Sequence, residues 1–339
     1  MKDVPGVESP PAFVADAPDI PPVCRPVTFP MSGATGQAAD WTVSGDLYIP
    51  QGKTPETIQV LLAGLTYDRR YWTVPGANNY AQHMAGAGYA VLAFDRIGTG
   101  LSSRPPADQV TLDNHVAVLH EMIGMLRAGE IGGMTFSRVV TVGHSFGSGI
   151  GIVEAARHND VDALVVSGML HDTSPLYEEV INFFHPASED PVLGPTAPPK
   201  WPDWYMTQKP GYRAKMLEYA GNIETRLSEY NELIKSTATI GEGLSLPETY
   251  KPEYTKNIKV PTLNVVGQYD ALFSGPNVKF CADSASVQEY EAPFYSAEAR
   301  LETHVIPLSG HSLNLHRNAV EWFEIARQWI GYCTEAGEG

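Results

Sequence analysis

Short apolar runs alternate with segments of helical periodicity along most of the chain. The runs are rich in Val, Leu and Ala and occur at 60–63, 90–94, 139–142, 163–166 and 263–266. Such runs are typical of strands that are buried on both faces of a parallel sheet. Apolar residues recur at three- and four-residue spacing at 116–126 and 319–330, as in helices that pack on a sheet. The pattern therefore predicts strands and helices that alternate around a mostly parallel sheet.

Three segments depart from this alternation. Residues 1–26 contain seven prolines, which exclude a central strand or a helix interior, so we expect an extended arm. Residues 41–49 alternate in the way that antiparallel strands do. Residues 171–259 are rich in aromatic residues and proline, and we interpret them as a mostly helical insertion over the sheet. The predicted division is an arm (1–26), a core (27–170 and 260–333), an insertion (171–259) and a flexible tail (334–339).

Composition and charge exclude several classes of protein. Lys and Arg total 23 against 39 Asp and Glu, and this net charge of −16 argues against nucleic acid as a partner. The longest apolar runs fall far short of the roughly 20 residues that a membrane helix needs. The N-terminal residues lack the apolar region of a secretory signal, so we predict a cytoplasmic protein; secretion with the signal already removed is the alternative. The sequence is compatible with a homodimer.

The cysteines indicate no metal or redox motif. Cys24, Cys281 and Cys333 are far apart and do not have the spacing of a zinc site or a CxxC pair. We expect three free thiols, and one disulfide with a spare thiol is the alternative. No metal is predicted.

One motif indicates nucleophilic chemistry. Residues 139–152 have the sequence VVTVGHSFGSGIGI, in which a predicted strand leads into a GxSxG turn and then a helix. The turn places Ser145 in a strained conformation, and its glycines remove side chains that would collide. It also directs backbone N–H groups towards an oxyanion formed beside Ser145. We predict that Ser145 is a nucleophile; an ordinary glycine-rich turn is the alternative.

A serine nucleophile needs a base and an orienting carboxylate. Asp270 follows the predicted strand at 263–266, and His311 follows a further predicted strand at 304–307. The carboxyl ends of parallel strands meet at one edge of a sheet. The order Ser145, Asp270, His311 is the one expected for a GxSxG turn in such a sheet. Asp172, which follows the predicted strand at 163–166, is the alternative acid.

With these motifs the chain resembles the α/β-hydrolase superfamily over residues 60–330. Residues 95–102, DRIGTGLS, are similar to the D-x-x-G-x-G-x-S signature of that superfamily. The resemblance implies an α/β-hydrolase fold, with a mostly parallel, doubly wound sheet and a mainly helical cap at 171–259. Within the signature, we expect Asp95 and Arg96 to form a buried pair that holds the loop near the site. The resemblance also implies that His144 packs beside the site and is not the base.

The resemblance also implies an oxyanion hole. It assigns the backbone N–H groups of Leu65 and Phe146 as the donors. Ala63 stands where the superfamily usually has a histidine, so Thr66 is a competing donor.

Aromatic residues of the predicted cap indicate an apolar pocket. The predicted substrate-binding residues are Thr66, Phe184, Trp201, Trp204 and Tyr205. The rings would equally form the small core of the cap. We predict a serine hydrolase, acting on an ester or lactone of a bulky, largely apolar small molecule, with an acyl-enzyme and no cofactor. An acyltransferase or cyclase with the same acyl-enzyme and a carbon–carbon bond hydrolase are the alternatives.

Overall fold

The strands form one large and one small sheet. The computed structural model describes residues 21–32, 40–196, 201–273 and 283–335. Its strands are β1 (Val23–Met31), β2 (Trp41–Ile49), β3 (Thr57–Leu62), β4 (Ala90–Phe94), β5 (Arg138–His144), β6 (Ala163–Ser167), β7 (Phe184–Pro186), β8 (Tyr205–Gln208), β9 (Ala238–Thr239), β10 (Thr262–Gly267) and β11 (Glu302–Ile306). The large sheet has the order β1-β2-β4-β3-β5-β6-β10-β11. β2 pairs antiparallel with β1 and β4, and the other pairs are parallel, which confirms the predicted sheet.

Helices connect and cover these strands. They are α1 (Tyr80–Gly86), α2 (Leu112–Ala128), α3 (Phe146–His158), α4 (Pro175–Glu179), α5 (Tyr212–Leu217), α6 (Thr225–Leu233), α7 (Ile240–Ser245), α8 (Pro252–Thr255), α9 (Ser284–Glu291) and α10 (Ala319–Glu335), with short 3₁₀ turns between several of them. α3 packs on β5 and β6, α2 packs on α3, and α10 packs on β6 and β10. The α/β-hydrolase fold predicted from the sequence is therefore the fold of the protein.

Burial of apolar side chains explains why these elements form. Every residue of β3, β4, β6 and β10 is buried. The predicted stripe of α10, which includes Trp322, Phe323 and Ile330, is buried as well. Burying one such side chain contributes about 1.5–3 kcal/mol, so these surfaces hold the sheet and its helices together.

The structure departs from the predicted division in three places. β1 begins at Val23, inside the predicted arm, and forms an edge strand, where proline is tolerated. α10 continues to Glu335, two residues into the predicted tail. The described part of 171–259 contains helices and also the antiparallel sheet β7-β8-β9, which was not predicted because its strands are only two to four residues long.

Two of the cysteines can be placed. Cys24 is exposed and Cys333 is half-buried, and both are free thiols. Cys281 and residues 1–20 and 336–339 lie outside the described residues. Among the described residues, no helix combines the length and apolar character that crossing a bilayer requires.

Candidate active site

Ser145 lies at the sharp turn between β5 and α3. Its backbone has φ 53° and ψ −123°, a region that residues other than glycine rarely occupy. A side chain on Gly147 would collide with the Leu62 carbonyl oxygen, and one on Gly143 would collide with Ser148. The glycines of the motif are thus required by the close packing of this turn. In GxSxG turns this geometry exposes the serine hydroxyl at the end of the strand.

Asp270 and His311 form a buried pair beyond the ends of β10 and β11. His311 Nδ1 lies 2.8 Å from Asp270 Oδ2, and the two residues are only 2% and 0% exposed. The other carboxylate oxygen accepts hydrogen bonds from the backbone N–H groups of Leu272 and Phe273, at 2.9 and 3.0 Å. The carboxylate is therefore fixed in orientation. Because His311 Nδ1 donates to this carboxylate, His311 Nε2 carries no proton and can act as a base.

Ser145 and His311 line the same cavity, which has a volume of about 50 Å³. Its other walls include Gly64, Leu65 and Phe146 from the core and Phe184, Met216 and Leu246 from residues 171–259. Within the described residues, no hydrogen bond joins the Ser145 hydroxyl to the His311 ring. Such bonds often tighten only when substrate binds.

The two predicted oxyanion-hole residues also lie at this cavity. Leu65 follows Gly64, where an added Cβ would lie 3.0 Å from Ser145 Cβ, so the loop can approach the serine only with glycine there. Phe146 is the first residue of α3. Its N–H is one of the first-turn donors that a helix leaves unpaired, and the helix dipole favours an anion at this end.

Family comparison agrees with this geometry. The model of the alpha/beta hydrolase family matches residues 59–323. The protein belongs to the alpha/beta hydrolase family. No curated protein sequence matches the chain significantly.

Solved structures with the same fold include an esterase and two lipases. A thermophilic esterase from Thermogutta terrifontis has a TM-score of 0.63 and 16% identity, over 91% of this chain and 99% of its own. A monoglyceride lipase from Saccharomyces cerevisiae has a TM-score of 0.62 and 15% identity, over 95% and 99% of the two chains. A monoacylglycerol lipase from Paleococcus ferrophilus has a TM-score of 0.60 and 17% identity, over 87% and 100%. At these identities the likeness shows a shared fold.

In this α/β hydrolase, Thr66 does not line the cavity. It is fully buried with φ 59°, and Arg213 Nη1 donates to its carbonyl and hydroxyl oxygens at 3.1 and 2.8 Å. The carbonyl and hydroxyl oxygens of Thr66 are thus bonded to Arg213, and its role as a substrate contact stays a prediction. Arg213, on α5, also donates to Gln208 and Asn231 and lies over the Tyr67 ring at 4.1 Å. No sequence pattern distinguished this arginine.

The structure places the four predicted aromatic residues in different surroundings. Phe184 lines the cavity. Trp201 is buried, and the Arg104 guanidinium lies over the Trp201 ring, 4.9 Å from its centroid. The Tyr205 hydroxyl donates to the Pro105 carbonyl oxygen at 2.7 Å. Trp204 is 65% exposed. These three rings contact the loop near residue 105 or face solvent, because β8 and the turn before it direct them away from Ser145.

His144 packs beside the candidate base, as expected. Its ring stacks on Tyr71, with centroids 4.4 Å apart, and lies 4.8 Å from the His311 ring. Burial, together with the neighbouring His311, holds the pKa of His144 well below its ordinary value. His144 therefore stays neutral and does not repel a proton taken up by His311.

Asp95 and Arg96 are both buried, as expected, but they have separate partners. Asp95 accepts from the backbone N–H groups of Arg69 and Leu101, and burial, followed by the nearby Asp68, raises its pKa to about 6. Arg96 donates to the carbonyls of residues 63 and 64 and to Glu242, which lies on α7. Arg96 thus joins the loop beside Ser145 to α7, within residues 171–259.

Proposed function

We propose that this α/β hydrolase is a serine esterase. Ser145 attacks the carbonyl carbon of an ester or lactone, His311 takes the serine proton, and Asp270 holds the imidazole in the required tautomer. The N–H groups of Leu65 and Phe146 stabilise the oxyanion. One observation carries the proposal: the strained serine and the ring of the buried Asp270–His311 pair line one cavity.

The proposed reaction proceeds in two transfers. Collapse of the first tetrahedral intermediate breaks the ester bond, and the leaving alcohol takes the proton from His311. This leaves the acyl group on Ser145. His311 then removes a proton from water, which attacks the acyl-enzyme, and the second collapse returns the proton to Ser145 and releases the acid. These steps use no group from outside the chain except water.

The cavity lining supports an apolar substrate group. Phe184, Met216 and Leu246 face this space from residues 171–259. Pockets for small-molecule ligands usually measure about 300–1,000 Å³, much more than the volume of about 50 Å³ here. A bulky ester therefore requires these side chains to shift. The names of the fold neighbours, an esterase and two lipases of monoacylglycerols, support an ester as the substrate class.

Removing the Ser145 hydroxyl is the direct test. Ser145→Ala should lower kcat towards an activated ester by about 10⁴-fold or more, with an unchanged melting temperature. A fluorophosphonate probe should add one mass tag to the protein, on Ser145, and none to the variant. Labelling at another serine, or an active Ser145→Ala variant, would falsify the assignment.

A second experiment tests the substrate class. Esters from acetyl to dodecanoyl and lactones of several ring sizes should be compared, with product masses recorded. Phe184→Ala should change the ratio of kcat/KM between long and short acyl esters by about tenfold. A difference of about 1.4 kcal/mol in binding the two transition states gives a tenfold ratio. Trp204→Ala, at an exposed ring outside the cavity, is the matched control. An unchanged preference in Phe184→Ala contradicts the pocket, and transfer of acyl groups to added amines or alcohols instead of water identifies an acyltransferase.

A further inference from the structure

Three candidate metal ligands lie together near the end of α3. His120 lies on α2, Glu154 on α3 and Asp160 just beyond α3. Their ligand atoms all lie within 4.8 Å of one another. His120 Nδ1 is 2.6 Å from Asp160 Oδ2 and 3.8 Å from Glu154 Oε1. The His120 side chain is 48% exposed, so the cluster opens to solvent.

Glu154 is the residue that needs an explanation. It is completely buried, and among the described residues no donor makes a hydrogen bond to either of its carboxylate oxygens. A fully buried carboxylate that faces a second carboxylate needs either a shared proton or a cation between them.

We propose that His120, Glu154 and Asp160 bind a divalent transition-metal ion, with Zn²⁺ as the best match. One imidazole nitrogen and two carboxylate oxygens are ligands that zinc accepts, with water in the fourth position. Magnesium and calcium prefer oxygen ligands alone. Ligand atoms around a tetrahedral zinc lie roughly 3.4 Å apart, so only small side-chain movements are needed.

Charge at this position also favours a cation. The ligands surround the C-terminal end of α3, where the helix dipole is negative, and the chain carries a net charge of −16. The sequence showed no zinc motif, because His120 and Glu154 come from different helices. The fold brings them together through the packing of α2 on α3.

The ion would act on stability and not on chemistry at Ser145. Glu154 lies nine residues beyond Ser145. At a rise of 1.5 Å per residue this places it about 14 Å away along α3. A bound ion would join α2 to α3, so we expect zinc to raise the melting temperature while the esterase activity of the metal-free protein persists. The proposal therefore stands or fails independently of the proposed function.

Calorimetric titration of the metal-stripped, full-length protein with zinc chloride tests the site. Wild-type protein should bind one Zn²⁺, and His120→Ala, Glu154→Gln and Asp160→Asn should each weaken binding by at least about tenfold. His304→Ala is the matched control, because His304 Nε2 lies 2.8 Å from Glu302 Oε1 in an exposed pair without a third ligand. Zinc should raise the melting temperature of the wild type and of His304→Ala only.

Glu154→Gln keeps the size of the side chain and removes its charge, so it separates lost binding from lost folding. If the wild type binds zinc no more tightly than Glu154→Gln, the carboxylates share a proton and the site is refuted. Binding of Mg²⁺ as tight as that of Zn²⁺ would overturn the assignment of a transition metal.

Discussion

Two regions of the protein each contain a hydroxyl, an imidazole and a carboxylate, and they differ in almost everything around these groups. At the cavity, the set is Ser145, His311 and Asp270, with His311 Nδ1 bonded to Asp270. Beyond β6, His171 Nδ1 lies 2.7 Å from Glu291 Oε2, and its Nε2 lies 3.1 Å from the Thr255 hydroxyl. The second set therefore has the carboxylate, imidazole and hydroxyl of a catalytic triad in the usual atomic order.

The surroundings distinguish the two sets. The Thr255 hydroxyl lies 2.6 Å from the Phe294 carbonyl oxygen, which can only accept, so its proton is used in that bond. The cavity that His171 lines is small, with a volume of about 10 Å³, enough for one water molecule. By contrast, Ser145 opens on a larger cavity and has N–H donors at a helix N-terminus. A triad pattern thus becomes a candidate site only with a free hydroxyl, room for substrate and oxyanion donors.

The largest expected effect is loss of activity at Asp270. Asp270→Asn should lower kcat by about 10⁴-fold, because the amide no longer accepts the Nδ1 proton and the ring takes the wrong tautomer. The control is Asp172→Asn, since within the described part of the chain the half-exposed Asp172 accepts only from the neighbouring Thr173 N–H. Ester hydrolysis by the two variants should be measured beside their melting curves. A larger loss in Asp172→Asn would move the acid to the earlier strand.

The second set should respond in stability instead. Glu291→Gln should lower the free energy of unfolding by about 3 kcal/mol, because Glu291 is fully buried and accepts from both the ring and the backbone N–H of His171. Activity at low temperature should change by less than about threefold. Denaturant unfolding and ester hydrolysis check this, with the exposed Glu289→Gln on the same helix as the control. Strong loss of activity in a folded Glu291→Gln protein would mean that the second set takes part in the chemistry.

A smaller effect, which depends on pH, is expected at His316. Among the described residues, no carboxylate makes a hydrogen bond to its ring. His316 Nε2 accepts from the backbone N–H groups of Tyr219 and Gly310, at 2.9 and 3.0 Å. Burial is the main cause that lowers its pKa to about 4. Because the folded pKa lies below the unfolded value of about 6.5, this contribution to stability is full above pH 6.5 and is lost as pH falls towards 4.

Between pH 7 and pH 5 the loss at His316 should amount to about 2 kcal/mol. His316→Gln removes the titrating group. The difference in unfolding free energy between wild type and variant should therefore be about 2 kcal/mol smaller at pH 5 than at pH 7. Denaturant melts at several pH values measure it. A difference that is constant with pH would contradict the lowered pKa.

The sequence predicted the sheet and the candidate triad because both depend on local signals. Buried parallel strands are nearly continuous apolar runs, and Ser145 and Asp270 follow the ends of two of them, whereas His311 follows the partly exposed edge strand β11. The contacts within residues 171–259 were harder to predict, since β8 is four residues long and gives no periodicity from which to infer where Trp204 and Tyr205 point. Buried polar contacts such as that of Arg213 with Thr66 join residues far apart in sequence, so no spacing reveals them.

The edge strand β1 limits how two copies of this protein can associate. Pro26 and Pro30 stand in a strand whose one paired neighbour in the described sheet is β2. Proline in a paired strand places its nitrogen on the side away from the paired neighbour, here β2. A strand added to the free edge of β1 would therefore lack two backbone N–H donors, at Pro26 and Pro30. Continuation of the sheet into a second molecule is therefore disfavoured along β1, and so is the edge-to-edge aggregation that such an exposed strand would otherwise promote.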